Sequence, residues 1–252
     1  MRRRHLLPLA LLAVVVTAGC TGGFGGPSEE ELCADASYDM NASAPETYTL
    51  RTNNSYQAVY ELEGNDTLEL YDRNALGNDE PVELRAVQFR AENGTTYDCE
   101  DIEVSTEDRR TVVELPAENG TFAYTSGSQP KRFGTRTYVA GPKEVVLPPN
   151  RSVSNFMFGS VRPGGYETSR DDDDRLHVRW EEFDGQTISV QYYLPRDIEI
   201  FGALFVMLAA SAGLVLFYYY RVFQRLKDRR EAAGLDVDVE DDDRDGPPPG
   251  MG

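Results

Sequence analysis

Apolar residues are distributed along this chain in three ways. Near the start, Leu6 to Gly19 is a short apolar stretch behind Arg2, Arg3 and Arg4. Between Tyr48 and Leu194, apolar and polar residues alternate with period two. From Ile200 to Tyr220, 21 residues pass without a charge. Alternation puts one side chain in two on the same face of a strand, so the middle of the chain reads as half-buried β-structure. A long uncharged run reads as a membrane helix.

The β pattern can be followed strand by strand. Tyr56, Ala58, Tyr60 and Leu62 line one face, and Leu68 and Leu70 follow after Gly64-Asn65-Asp66, which looks like a hairpin turn. Val82 and Leu84 change phase to Val87 and Phe89, which predicts a bulge near Ala86. Val113 with Leu115 and Phe122 with Tyr124 flank a turn at Glu118-Asn119-Gly120, and Phe133, Thr135, Thr137 and Val139 continue. The clearest hairpin is expected last: Leu176, Val178 and Trp180, a turn at Phe183-Asp184-Gly185, then Ile188, Val190, Tyr192 and Leu194. No amphipathic helix of convincing length interrupts between Tyr48 and Leu194. Many short strands with regular turns indicate a mainly β, sandwich-like ectodomain or small barrel. About 150 residues can close one large lobe or two small ones, with Gly127 to Pro130 as the best seam. Trp180, the only tryptophan, is expected in a core.

The two ends supply topology. A basic start, a short apolar run and small residues describe a secretory signal over 1–19, with Arg3-Arg4 fitting a twin-arginine pattern. Thr17-Ala18-Gly19-Cys20 resembles a lipobox, with Cys20 as the lipidated residue and 20–45 as a flexible tether that begins Gly-rich. The β domain is then 46–197, the membrane helix 198–220 and the tail 221–252. Tyr218 to Tyr220 suit an aromatic belt, and Arg221, Arg225, Lys227, Arg229 and Arg230 follow at once. Positive charge stays inside, so the ectodomain is expected outside the cell and the C-terminus in the cytoplasm. The tail extends the helix by a few turns, then becomes acidic and Pro-rich, a composition that favours disorder.

Composition sharpens this picture. With 43 acidic and 25 basic residues the net charge is −18. Such a chain repels nucleic acid, and its acidity points to a halophilic source. Cys33 and Cys99 remain once Cys20 is set aside; outside the cell they can form one disulfide, the alternative being two free thiols. Six of ten Asn head Asn-x-Ser/Thr sequons: Asn41, Asn53, Asn65, Asn93, Asn119 and Asn150. All six lie in the segment assigned outside, where they mark glycosylation sites on surface loops.

Candidate chemistry is sparse. His177 is the only histidine beyond the signal segment, and alternation turns it to the wet side of its strand. No nucleophile elbow, P-loop, HExxH or CxxC occurs. Asp171 to Asp174, with Glu181, Glu182 and Asp184 nearby, is the one dense acidic cluster outside. Consecutive acids lack the spacing of a calcium loop, so no metal and no cofactor is expected.

The lipobox, Asp79 to Val82, Thr111 to Pro116, Val145 to Pro149, Pro163 to Glu167, the single span, and Gly234 to Val239 ahead of the Pro-rich end together resemble a family of uncharacterised haloarchaeal membrane lipoproteins. The resemblance implies the organisation and supplies no catalytic residues. The sequence therefore points to a non-enzymatic envelope protein that binds a partner at the membrane. The alternative is an accessory subunit or sensor that couples the outside to a cytosolic partner through span and tail.

Overall fold

A computed structural model describes residues 28–74 and 76–233. The signal segment, Cys20 and the acidic, Pro-rich end lie outside the described residues. Those up to Pro195 form one compact unit, and those from Arg196 form a second.

The first unit is built of strands in three sheets. The largest has eight, in the order β13 (Glu167–Arg170), β14 (Leu176–Trp180), β11 (Lys143–Val146), β1 (Glu46–Leu50), β2 (Ser55–Leu62), β9 (Gly120–Gly127), β5 (Arg85–Ala91) and β6 (Thr96–Tyr97). Its pairs are antiparallel except β1 with β11. A four-stranded sheet runs β4 (Asp79–Pro81), β3 (Thr67–Arg73), β8 (Arg110–Glu114), β7 (Glu103–Glu107). A three-stranded sheet runs β10 (Arg132–Arg136), β15 (Thr187–Gln191), β12 (Ser160–Arg162).

One apolar core serves all three. Tyr48, Tyr56, Tyr60, Phe122, Tyr124 and Trp180 of the large sheet share it with Phe133 and Val190 of the three-stranded sheet and Leu70 and Val113 of the four-stranded one. The Phe133 ring centroid lies 5.1 Å from those of both Tyr48 and Tyr56. The fold is therefore mainly β and sandwich-like, with two small sheets meeting one large one. Gly127 to Pro130 links β9 to β10 within this unit. The phase slip near Ala86 is a bulge: β5 shifts register on β9 between Arg85 and Gln88, and Ala86 has φ 51°.

The hairpins expected at Gly64 to Asp66 and at Phe183 to Gly185 are corrected, and the turn at Glu118 to Gly120 is of the same kind. β2 pairs with β1 and β9, whereas β3 pairs with β4 and β8, so Gly64 to Asp66 carries the chain between sheets. The same holds for Glu118 to Gly120 between β8 and β9, and for Phe183 to Gly185 between β14 and β15. Real hairpins lie elsewhere. β1 and β2 are joined through Asn54 at φ 61°, and β7 and β8 through Asp108 and Arg109, both at positive φ. The acidic run Asp171 to Asp174 is the turn between β13 and β14.

The second unit is one helix, α2 (Pro195–Ala232), of 38 residues. Pro195 suits a first turn because its missing N–H would have no helical partner there. At 1.5 Å per residue α2 is ~57 Å long, against ~30 Å of hydrocarbon. It is long and apolar enough to cross a membrane. It begins before the expected residue 198. It also passes beyond 220 through the basic run to Ala232, the continuation by a few turns that the sequence predicts.

Candidate functional site

The core face of the large sheet is filled by the apolar half of the alternation. Its other face carries Thr47, Gln57, Val59, Ala123, Glu144 and Val146, and these are buried too. What covers them is the segment before β1. Residues 20–45 read in sequence as a tether; from Ser28 onward the structure corrects this to an ordered strap.

The strap starts with a one-turn helix, α1 (Glu29–Leu32), whose Ser28 and Glu31 form a capping box. Cys33 follows and is disulfide-bonded to Cys99, with Cα atoms 5.2 Å apart. The strap then crosses the sheet, tied strand by strand. Tyr38 donates its hydroxyl to the Ala86 carbonyl at the bulge, 2.5 Å away. The Tyr38 hydroxyl oxygen also meets Thr125 Oγ1 at 2.8 Å. Gln57 Nε2 donates to Ser37 O at 3.1 Å, and Arg90 Nη2 to Met40 O at 2.6 Å. Arg179 Nη1 donates to Ser43 O at 3.1 Å, and the Ser43 hydroxyl donates to Glu144. Burial pushes the Tyr38 phenol up to about 12, against the opposing pull of Thr125 and Arg51.

A polar cavity of about 550 Å³ remains between strap and sheet, lined among others by Tyr38, Arg51, Gln57, Glu144, Arg175 and His177. Arg175 donates Nε to Leu147 O at 3.2 Å and Nη2 to Leu50 O at 3.0 Å. Arg51 donates Nη2 to Gln57 Oε1 at 2.5 Å. Neither guanidinium forms an ion pair among the described residues, whereas Arg73, Arg85, Arg110, Arg170 and Arg179 all do. Burial lowers the Arg175 pKa, with the charge of Arg51 adding to the effect and Asp171 opposing it. Each guanidinium has five N–H donors, so both keep donors for a ligand.

His177 is placed differently from its expected wet position. It stands beside Val146 in register on the strap side and is 24% exposed in its side chain. Its Nδ1 lies 2.9 Å from Glu144 Oε1 and its Nε2 3.2 Å from Asp171 Oδ2. Ser43 bonds to Glu144 and not to His177, so the order of a Ser–His–acid triad is not met. The line from Ser43 through Glu144 and His177 to Asp171 instead clamps strap, sheet and hairpin turn together.

Asp171 and Asp174 also hold the hairpin turn itself together. Asp171 Oδ1 accepts from the Asp173 and Arg175 N–H groups at 3.0 and 2.8 Å, and the Arg175 N–H contact leads in holding the Asp171 pKa down. Asp174 pairs with Arg170 at 2.9 Å. Among the described residues no group of three or more His, Cys, Asp or Glu stands ready for a metal ion. The six sequon asparagines are all exposed. Their side chains shape turns: Asn53, Asn93 and Asn119 accept backbone N–H bonds from Ser55, Thr95 and Gly64.

A model of a family of unknown function, DUF5803, matches residues 41–238. The chain belongs to that family. The DUF5803 match takes in the end of the strap, the whole β unit and α2, so every lining residue named above except Tyr38 falls within it. No curated protein matches the chain.

Sequence reasoning reached Cys33, Cys99 and His177 but missed the strap, Arg51 and Arg175. One signal was available. Gln57 and Val59 occupy the supposedly wet phase of β2, and an apolar Val59 there, with Val146 on the corresponding phase of β11, hints at a covered second face.

Proposed function

We propose that this protein is a single-pass membrane protein whose β domain faces the exterior of an envelope in high salt, and that it binds a partner there rather than catalysing a reaction. The binding site is the cavity under the strap, and its ligand carries an anionic group, a carboxylate or sulfate. The observation that carries this reading is the pair Arg51 and Arg175, two cations without ion pairs lining one cavity of a chain with net charge −18. Arg51 and Arg175 share the cavity with Asp39, Glu144 and Asp171 yet form no ion pair there, so their remaining N–H donors are left for an anionic group.

The outside placement rests on the basic flank of α2, on the Cys33–Cys99 disulfide and on the exposed sequons. Lipid on Cys20 would add a second anchor on the same face of the membrane. Protease added to intact cells would spare the acidic tail in this orientation; its digestion would reverse the topology.

Titration of the purified protein with sulfate and with glucuronate, followed by calorimetry at fixed chloride, tests the site. Saturable binding that Arg175→Gln weakens at least about tenfold, the scale of one charge-assisted contact, is expected. Binding unchanged by that substitution would remove the reading.

A second reading has one observation in its favour. α2 stays helical 12 residues past Tyr220, from 221 to 232. A rigid extension of this kind suits a sensor that passes an outside state to a cytosolic partner, and deleting the residues after Ala233 would abolish its output.

A further inference from the structure

Outside α2, three large apolar side chains are exposed among the described residues: Leu76, Phe156 and Met157. Leu76 stands alone. Phe156 and Met157 are adjacent, 91% and 57% exposed, at the tip of a turn between β11 and β12.

This turn is built rather than loose. Asn155 accepts on its carbonyl from the Phe158 and Gly159 N–H groups at 3.1 and 2.7 Å, and on Oδ1 from the Met157 N–H at 2.9 Å. Gly159 closes the turn against Val153, where a Cβ would lie 2.3 Å from the Val153 carbonyl oxygen. Only glycine tolerates that approach. Its interior side, Phe158, packs on Tyr193 with ring centroids 6.0 Å apart. The fold therefore fixes the backbone and turns two apolar side chains out to where water would be. A soluble surface rarely organises apolar groups in this way without a partner.

The partner follows from covalent connection. Ser152 and Tyr193 exchange both backbone hydrogen bonds at 3.0 Å, and Ser154 Oγ meets the Tyr193 hydroxyl at 3.2 Å. Tyr193 precedes Pro195, the first residue of α2, by two residues. From Tyr193 to Ile200, where the uncharged run begins, there is at most ~15 Å of chain. The base of this turn therefore lies within that length of chain of Ile200. The end of β15 also collects cations: Arg132 is the register partner of Gln191, Lys131 O accepts from the Tyr192 N–H, and Arg151 adjoins Ser152. The start of α2 carries the acids Asp197 and Glu199, so the apolar tip rather than charge carries the contact.

We propose that the turn 154–158 is a second membrane contact, in which Phe156 and Met157 enter the lipid interface near the start of α2. This rests on the reading of α2 as a membrane span. Interfacial insertion of apolar side chains with basic neighbours is a recognised mode of membrane attachment. Here it restrains the β unit relative to the bilayer, which a single helix with a short link does not.

The test uses the full chain reconstituted in phosphatidylcholine–phosphatidylglycerol vesicles, with bromines placed either high on the acyl chain or deep. Three single-tryptophan additions are compared, Phe156→Trp, Leu76→Trp and Leu208→Trp, each corrected for the buried Trp180. Phe156→Trp is expected to shift to the blue and lose emission to the high bromines. Leu76→Trp should do neither, and Leu208→Trp should be quenched by the deep bromines. Quenching of Leu208→Trp with Phe156→Trp untouched would overturn the proposal and leave the span standing. Leu208→Trp untouched would overturn the span reading and the proposal together. Equal quenching of Leu76→Trp and Phe156→Trp would also overturn it, because the contact would then not belong to this turn.

Discussion

Glu46 and Lys143 face each other across the parallel pair of β1 and β11, with Oε2 and Nζ 3.1 Å apart and side chains 0% and 1% exposed. Both point into the core. Glu46 also accepts from the Tyr138 and Val139 N–H groups at 3.2 and 3.1 Å and from the Tyr48 hydroxyl at 2.5 Å. Lys143 donates to the Val139 carbonyl. From Tyr48 the network continues to Tyr60 at 3.2 Å and on to Tyr124 at 2.9 Å. Tyr138 exchanges bonds with the Tyr71 backbone on β3, which ties the large sheet to the four-stranded one. A buried pair is neutral to costly against a hydrophobic substitute, but it penalises any arrangement that separates its members. Here it specifies which strand lies beside β1.

Removing one member should therefore cost more than removing both. Lys143→Met is expected to destabilise the β unit by about 3–5 kcal/mol, leaving a buried carboxylate without its cation. Adding Glu46→Gln should cost less than the sum of the single changes. Denaturant midpoints of the three variants check this; strict additivity would mean that the two residues do not act as a pair.

Alkali should unfold the β unit cooperatively. Burial pushes Tyr56 up to about 12 and holds Tyr48, Tyr60 and Tyr124 well above their ordinary value of 10.0. A phenol with a raised folded pKa contributes its full stability below pH ~10, where both states are protonated, and loses it as pH rises towards the folded value. Each such tyrosine costs ~1.4 kcal/mol per pH unit across that window. Phenolate absorbance from these residues should appear together with unfolding. If it appeared reversibly in the native state, the tyrosine core would be more open than described.

Reduction should release the strap. The disulfide spans 66 residues, and the chain-entropy argument assigns such a loop about 4 kcal/mol. Hydrogen exchange at residues 34–44 should rise on replacing both cysteines by serine, while the β11 and β14 amides stay protected. Uniform loss of protection would mean that the strap is part of the folding core.

The clamp at His177 should act locally. His177→Ala leaves Glu144 and Asp171 without their common partner, so exchange should quicken at Ser43 and in the turn 171–175. A variant with unchanged exchange in both segments would show that the two ends are held independently.

The strands themselves were legible before any coordinates. Alternation at Tyr56 to Leu62 and at Leu176 to Trp180 marked their core faces, and the phase slip at Ala86 marked the bulge. Pairing was not legible. The turns at Gly64 to Asp66, Glu118 to Gly120 and Phe183 to Gly185 have hairpin composition, yet each carries the chain to another sheet. A turn sequence reports that the backbone reverses locally, and a reversal can close a ladder or cross the core. The site was hidden for a related reason: Arg51 and Arg175 are 124 positions apart and meet only because β1 and β14 both flank β11.

What the chain determines by itself is whatever depends on neighbours in sequence. A charge-free run long enough for a bilayer, the basic residues after it, and the period of two in the β unit are local and additive. Partner choice, the covered second face and the cavity depend on contacts between distant segments, each weak alone and decided by the packing of the whole. Only the folded unit could show that a polar stretch before β1 is pinned by one disulfide and a row of hydrogen bonds, because nothing in residues 34–44 distinguishes a strap from a tether until the sheet beneath it exists.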